Sequence, residues 1–105
     1  MNAFSTRDFM QLRDHIKIAH HVPGRIRVRL MLSALKQFPD VDPTILESLQ
    51  SEAEGIKDIR VNRAAGSAAI SYDPQIIPQA SWETIINGEP EVAKQILLKL
   101  IEPNV

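Results

Sequence analysis

Residues 25 to 30 read Arg-Ile-Arg-Val-Arg-Leu, a strict alternation of cation and aliphatic. Successive side chains of a β-strand point to opposite faces, whereas a helix would spread these arginines around its surface. The segment is therefore a half-buried strand. Ile26, Val28 and Leu30 face a core, while Arg25, Arg27 and Arg29 face away from it. The rest of the chain has to supply neighbours for this strand and a cover for its apolar row.

Candidates lie on both sides. "HIKIAHH", residues 15 to 21, alternates Ile16, Ile18 and His20 against His15, Lys17, Ala19 and His21. Pro23-Gly24 is turn chemistry, so this short strand either hairpins onto residues 25–30 or forms one long kinked strand with them. Asp42 is a suitable N-cap and Pro43 a suitable first helical residue, followed by Ile45, Leu46, Leu49 and Ala53 at helical spacing. Gly55 is placed to end that helix. Residues 56 to 73 read as a β-hairpin, with Ile59 and Val61 on one face of its first strand. Ala68, Ile70 and Tyr72 alternate along its second strand, "AAGS" makes its turn, and Asp73-Pro74 ends it. Ser81 is a candidate cap for a short helix through "WETII". Glu89-Pro90 restarts a helix whose stripe is Val92, Ala93, Ile96, Leu97, Leu100 and Ile101.

The predicted order is strand or hairpin, helix, strand, strand, helix. This is an α+β, ferredoxin-like two-layer sandwich, an antiparallel sheet with two helices on one face. The usual final edge strand is missing after the last helix, and residues 15–21 are the candidate to replace it. Residues 1–13 are expected to be an arm or a short helix, with Ser5 as its cap and Phe9, Met10 and Leu12 along it. Residues 14–105 are expected to form the domain.

A chain of 105 residues, 44% hydrophobic and 24% charged, fits one globular domain. The net charge of −1 makes any basic effect a local one. There is no cysteine, which removes disulfides, thiolate ligands and cysteine nucleophiles. No apolar run is long enough to cross a membrane and no apolar leader is visible, so a cytoplasmic location is expected.

From about His20 to Pro74 the sequence resembles the cysteine-free branch of heavy-metal-associated domains, found alone or at the N-termini of P-type metal ATPases. The resemblance rests on "HHVPGRIRVRL", on the helix that ends in glycine, and most specifically on "GIKDIRVNRAAGSAAISYDP". It implies a small ferredoxin-like sandwich and a link to metal handling. Other members of the family carry Met-x-Cys-x-x-Cys between first strand and first helix. Here that loop, residues 31 to 42, holds no cysteine or histidine, and Met31 is its only soft donor. One thioether does not make a metal site. His20, Pro23, Gly24 and Arg25 are the residues that match the cysteine-free motif.

Two surfaces are left as candidate sites. His15, His20 and His21 are the only imidazoles and could ligate a divalent metal ion or haem iron. As strand neighbours, His20 and His21 would point to opposite faces unless a bulge turned them together, and the plainer reading is polar residues of an edge strand. Asp14 and Asp73 have no sequence signal placing them nearby. Arg25, Arg27 and Arg29, extended by Arg60 and Arg63, form a basic stripe suited to a protein partner. Aromatic residues are 5% of the chain and none interleaves with these arginines, which argues against nucleic acid. Trp82 reads as a core residue. "AAGS" lacks the spacing of a phosphate loop, and no nucleophile, base and acid set stands out, so no enzyme is expected. The functional expectation is a small binding module related to metal-handling domains, either holding metal or haem through histidine or docking as a regulatory domain. The alternative is a protein-interaction or assembly module that uses the arginine face and the open sheet edge, with a homo-oligomer as one outcome.

Overall fold

A computed structural model of the chain describes residues 6–31, 45–62 and 64–101. Helix α1 (Thr6–Leu12) and a 3-10 turn (Arg13–His15) lead into β1 (Ile16–Val22) and β2 (Arg25–Leu30). Then follow α2 (Ile45–Glu52), β3 (Ile56–Asn62), β4 (Ser67–Tyr72), α3 (Gln79–Asn87) and α4 (Pro90–Ile101). The described strands form one antiparallel sheet in the order β1-β2-β4-β3. This is the expected ferredoxin-like sandwich, with the N-terminal strand occupying the edge that the usual final strand would take.

The alternation in β2 does what its pattern requires. Ile26 and Val28 are buried and the three arginines are exposed. Across the sheet Ala68, Ile70, Tyr72, Ile59 and Ile56 continue the inner face. Helices cover that face with Leu49 from α2, Trp82, Ile85 and Ile86 from α3, and Ala93 and Leu97 from α4, and Ala53 joins them just beyond the end of α2. Phe9 and Leu12 of α1 join them. Each large apolar side chain buried here contributes roughly 1.5–3 kcal/mol of transfer free energy.

Pro23-Gly24 closes a tight hairpin, since Val22 pairs with Arg25. Gly24 has φ +92, the left-handed conformation that a turn with proline before glycine demands. Gly55 sits beyond the end of α2 at φ +94, and a Cβ there would lie 2.7 Å from Cγ2 of Ile76. Both positions are tied to β4: the Gly24 carbonyl accepts from the Tyr72 N–H at 2.9 Å, and the Gly55 carbonyl accepts from the Asp73 N–H at 2.8 Å.

Two local expectations differ. The register of β1 slips between Ile18 and His20, so the strand changes parity at Ala19. Ile16 and Ile18 face inward as expected, but His21 rather than His20 continues their side, because a bulge inserts one unpaired residue. A similar slip between Ile56 and Asp58 lets Ile56 and Ile59 both face the core. Ser81 is not a cap: α3 begins at Gln79 after an extended Pro78, and the Ser81 N–H donates to the Pro78 carbonyl at 2.9 Å. The proposed caps Ser5, Asp42 and Pro43 lie outside the described residues.

Candidate functional site

The face of the sheet that no described helix covers is strongly basic. Arg25, Arg27 and Arg29 stand in a row on β2, with Lys17 of β1 directly opposite Arg29 and His20 opposite Arg27. On the other side β4 presents small residues: Ser71 pairs with Arg25, Ala69 with Arg27 and Ser67 with Arg29. Beyond them β3 raises Arg60 opposite Ala69 and Asn62 opposite Ser67. Large side chains therefore flank a low central strand. The result is an open groove of about 430 Å³ lined by Arg27, Arg29, Arg60, Asn62, Ser67 and Ala69, with Ala19 and Ala65 at its ends. Arg63, expected to extend the row, lies outside the described residues.

The acid on this face is Asp58, whose Oδ2 accepts from Nε of Arg60 at 3.0 Å. Both side chains are exposed, so the pair is weak, and it leaves the terminal nitrogens of Arg60 free to donate elsewhere. Among the described residues no acid is paired with Arg25, Arg27 or Arg29. Like charges facing each other across strands, as Lys17 and Arg29 do, are unfavourable. Packing gives no reason to gather these cations. An anion laid among them would relieve the repulsion.

The histidines are dispersed by the bulge. His21 points to the helix layer, where its side chain is 5% exposed. Its Nδ1 lies 2.8 Å from Oε2 of Glu83 on α3, and its Nε2 lies 2.8 Å from the Tyr72 hydroxyl. A carboxylate accepts only, so Nδ1 carries the proton and Nε2 can accept from Tyr72. The hydroxyl is also 3.4 Å from the Val22 carbonyl. The Tyr72 ring in turn lies 5.3 Å from that of Trp82, tilted by 51°. His21 thus joins the edge strand to α3, with both ring nitrogens engaged. His20 is exposed on the opposite, arginine-bearing face. His15 is half-buried in the turn before β1. The three candidates are not brought together, and Asp14 and Asp73 do not complete a set with them: among the described residues no three His, Cys, Asp or Glu side chains are arranged to hold a metal ion. With no cysteine in the chain, these donors do not fit a soft-metal site.

Two further positions gave little sequence signal. Arg13 is 4% exposed and folds against the end of α3. Its Nε donates to the Ile85 carbonyl at 2.9 Å, and Nη2 donates to those of Gly88 at 2.6 Å and Thr84 at 3.5 Å. A cation on the last carbonyls of a helix satisfies orphan acceptors and the helix dipole together. These acceptors lie more than 70 residues away in sequence, which no local pattern reveals. Lys17, by contrast, was legible as an outward residue of β1, although the charge facing it was not.

The family model described as Heavy metal associated domain 2 matches residues 6–99, nearly the whole chain. No curated protein and no solved structure gives a match.

Proposed function

The chain belongs to the heavy metal associated domain 2 family, and from that premise we propose that it is a docking module of metal handling whose working surface is the arginine-bearing sheet face. The supporting observation is the groove between Arg27, Arg29 and Arg60, floored by Ala69 and Ser67 and without an acid in its lining. A non-catalytic, cytoplasmic adaptor suits such a surface: it needs no reactive group, only a face that a charged partner reads. No helix among the described residues is long and apolar enough to cross a membrane.

Ligation of metal or haem by histidine is the competing reading. His20 favours it by its exposure beside the groove, and His21 disfavours it because Glu83 and Tyr72 already occupy both ring nitrogens. Titration of the purified chain with zinc, copper(II), nickel and haemin, followed by absorbance and thermal shift, separates the two. The docking reading expects no saturable binding that His20→Ala removes, and salt-sensitive binding of polyanions that R27E/R29E abolishes. Stoichiometric metal or haem uptake lost in His20→Ala, with no polyanion binding, overturns it.

A further inference from the structure

The partner's chemistry can be read from the spacing of the groove, on the footing that this face is the docking surface. Alternate residues of a strand repeat at about 6.7 Å, so Arg25, Arg27 and Arg29 form a cationic ladder with that period. Arg60 stands on β3, two strand spacings or about 10 Å across from the ladder, with β4 between them. That width admits one polypeptide in extended conformation, lying over Ser67, Ala69 and Ser71. An extended chain with carboxylates at alternate positions has the same repeat as the arginines. We infer that the groove takes an extended acidic segment of a protein partner, its carboxylates at every second residue, aligned along β4 with one acidic edge on Arg25, Arg27 and Arg29.

The remaining features of the face agree with this occupant. Guanidinium groups match carboxylates with paired N–H donors, which gives register as well as attraction. Ser67, Ser71 and the Asn62 amide supply short polar groups for the segment's backbone and intervening side chains. Single-stranded nucleic acid needs aromatic platforms as well as charge. Phe9, Tyr72 and Trp82 are all buried in the core on the other side of the sheet. The acids Glu47, Glu54, Glu83, Glu89 and Glu91 lie off the sheet, on or beside the helices, where Arg7, Lys94 and Lys99 accompany them, so the mixed-sign surface is the helix layer and the sheet face is mainly cationic.

The test uses the full chain and a fluorescently labelled peptide of alternating Glu and Thr, with an isomer in which the same Glu residues form one block. Inorganic polyphosphate and oligouridylate are run beside them, each by anisotropy at low and high salt. The alternating peptide should bind several-fold tighter than its block isomer, because only the alternating one sets a carboxylate against each arginine in register. R27E/R29E should weaken it roughly tenfold or more while the far-ultraviolet circular dichroism stays unchanged. A peptide of alternating Lys and Thr should bind that variant better than it binds the parent. Arg60→Gln, a single exposed change, should give a smaller loss in the same direction. Equal affinity for the two Glu isomers overturns the inference and leaves the docking reading standing. Oligouridylate binding tighter than the alternating peptide also overturns it. Self-association of the chain that R27E/R29E abolishes would make a second copy the occupant and overturn it too. Failure of every polyanion to bind at low salt removes both the inference and the reading beneath it.

Discussion

The His21 ring and the Tyr72 hydroxyl meet at 2.8 Å, joining edge strand β1 to β4 although β2 runs between them. Glu83 holds the other ring nitrogen from α3, so one imidazole connects the sheet edge, the sheet centre and the helix layer. His21→Ala should lower stability by about 1–3 kcal/mol in urea or thermal denaturation, since it removes two hydrogen bonds and leaves the buried hydroxyl only its long contact with the Val22 carbonyl. Tyr72→Phe should cost less, and the double variant less than the sum of the two, as expected for contacting residues. His20→Ala, one position away and exposed, should stay within about 0.5 kcal/mol of the parent. Equal effects at the two histidines would contradict the bulge.

Arg13 is the buried charge that closes α3. Arg13→Ala should cost about 2–4 kcal/mol, because it leaves the carbonyls of Ile85 and Gly88 without their donor and opens a gap beside Leu12. Arg13→Lys should recover only part of that loss, since an ammonium cannot bridge several carbonyls as the guanidinium fork does. Hydrogen exchange at the C-terminal end of α3 should accelerate in both variants. Unchanged protection there would mean that the contact does not hold the helix end.

Gly24 and Gly55, two of the three glycines at positive φ, should separate cleanly under substitution. At Gly24 an added Cβ meets its nearest neighbour, the Tyr72 carbonyl oxygen, at 3.5 Å, an ordinary contact. Gly24→Ala should therefore cost only the backbone strain, about 1 kcal/mol. At Gly55 the Cβ would press to 2.7 Å from Ile76 and 3.1 Å from Ile77, and Ile77 is fully buried. Gly55→Ala should cost about 2–3 kcal/mol, with strain and clash combined. Chemical denaturation gives the order directly, and a costlier Gly24→Ala would refute it.

Lys17 and Arg29 oppose each other with the same charge. Lys17→Glu converts that pair to an attraction and should raise stability by about 0.2–1 kcal/mol at low salt. The gain should fade as ionic strength shortens the screening length. The same change should weaken binding of the alternating acidic peptide. A protein destabilised by Lys17→Glu would show that the repulsion is already relieved within the chain.

How much of this was readable beforehand follows the range of each interaction. The β2 alternation, the 56–73 hairpin and the α4 stripe are local periodicities, and each appears where its residues put it, except that Val92 of the stripe is exposed. Replacement of the edge strand by residues 16–22 was legible only as a candidate, because Pro23-Gly24 allows either a tight antiparallel return or a kink in one long strand. Parity along β1 was not. A bulge depends on how a strand meets its neighbour, and nothing in "IKIAHH" marks Ala19 as the inserted residue. The capping role of Arg13 was hidden for the same reason, its acceptors being supplied by a distant helix. The arginine row was visible as a pattern, but the groove needed the pairing of Ala69 with both Arg27 and Arg60, which only the sheet order provides.

The edge position of β1 carries one last implication. Relative to the usual ferredoxin-like plan, the described elements follow a circularly permuted order, with the strand that normally comes last placed first. Helix α1 packs against α4, so the first and last described elements are neighbours. A linker from the end of α4 to the start of α1, with new termini opened between Pro23 and Gly24, would restore the conventional strand–helix–strand order without disturbing the sheet.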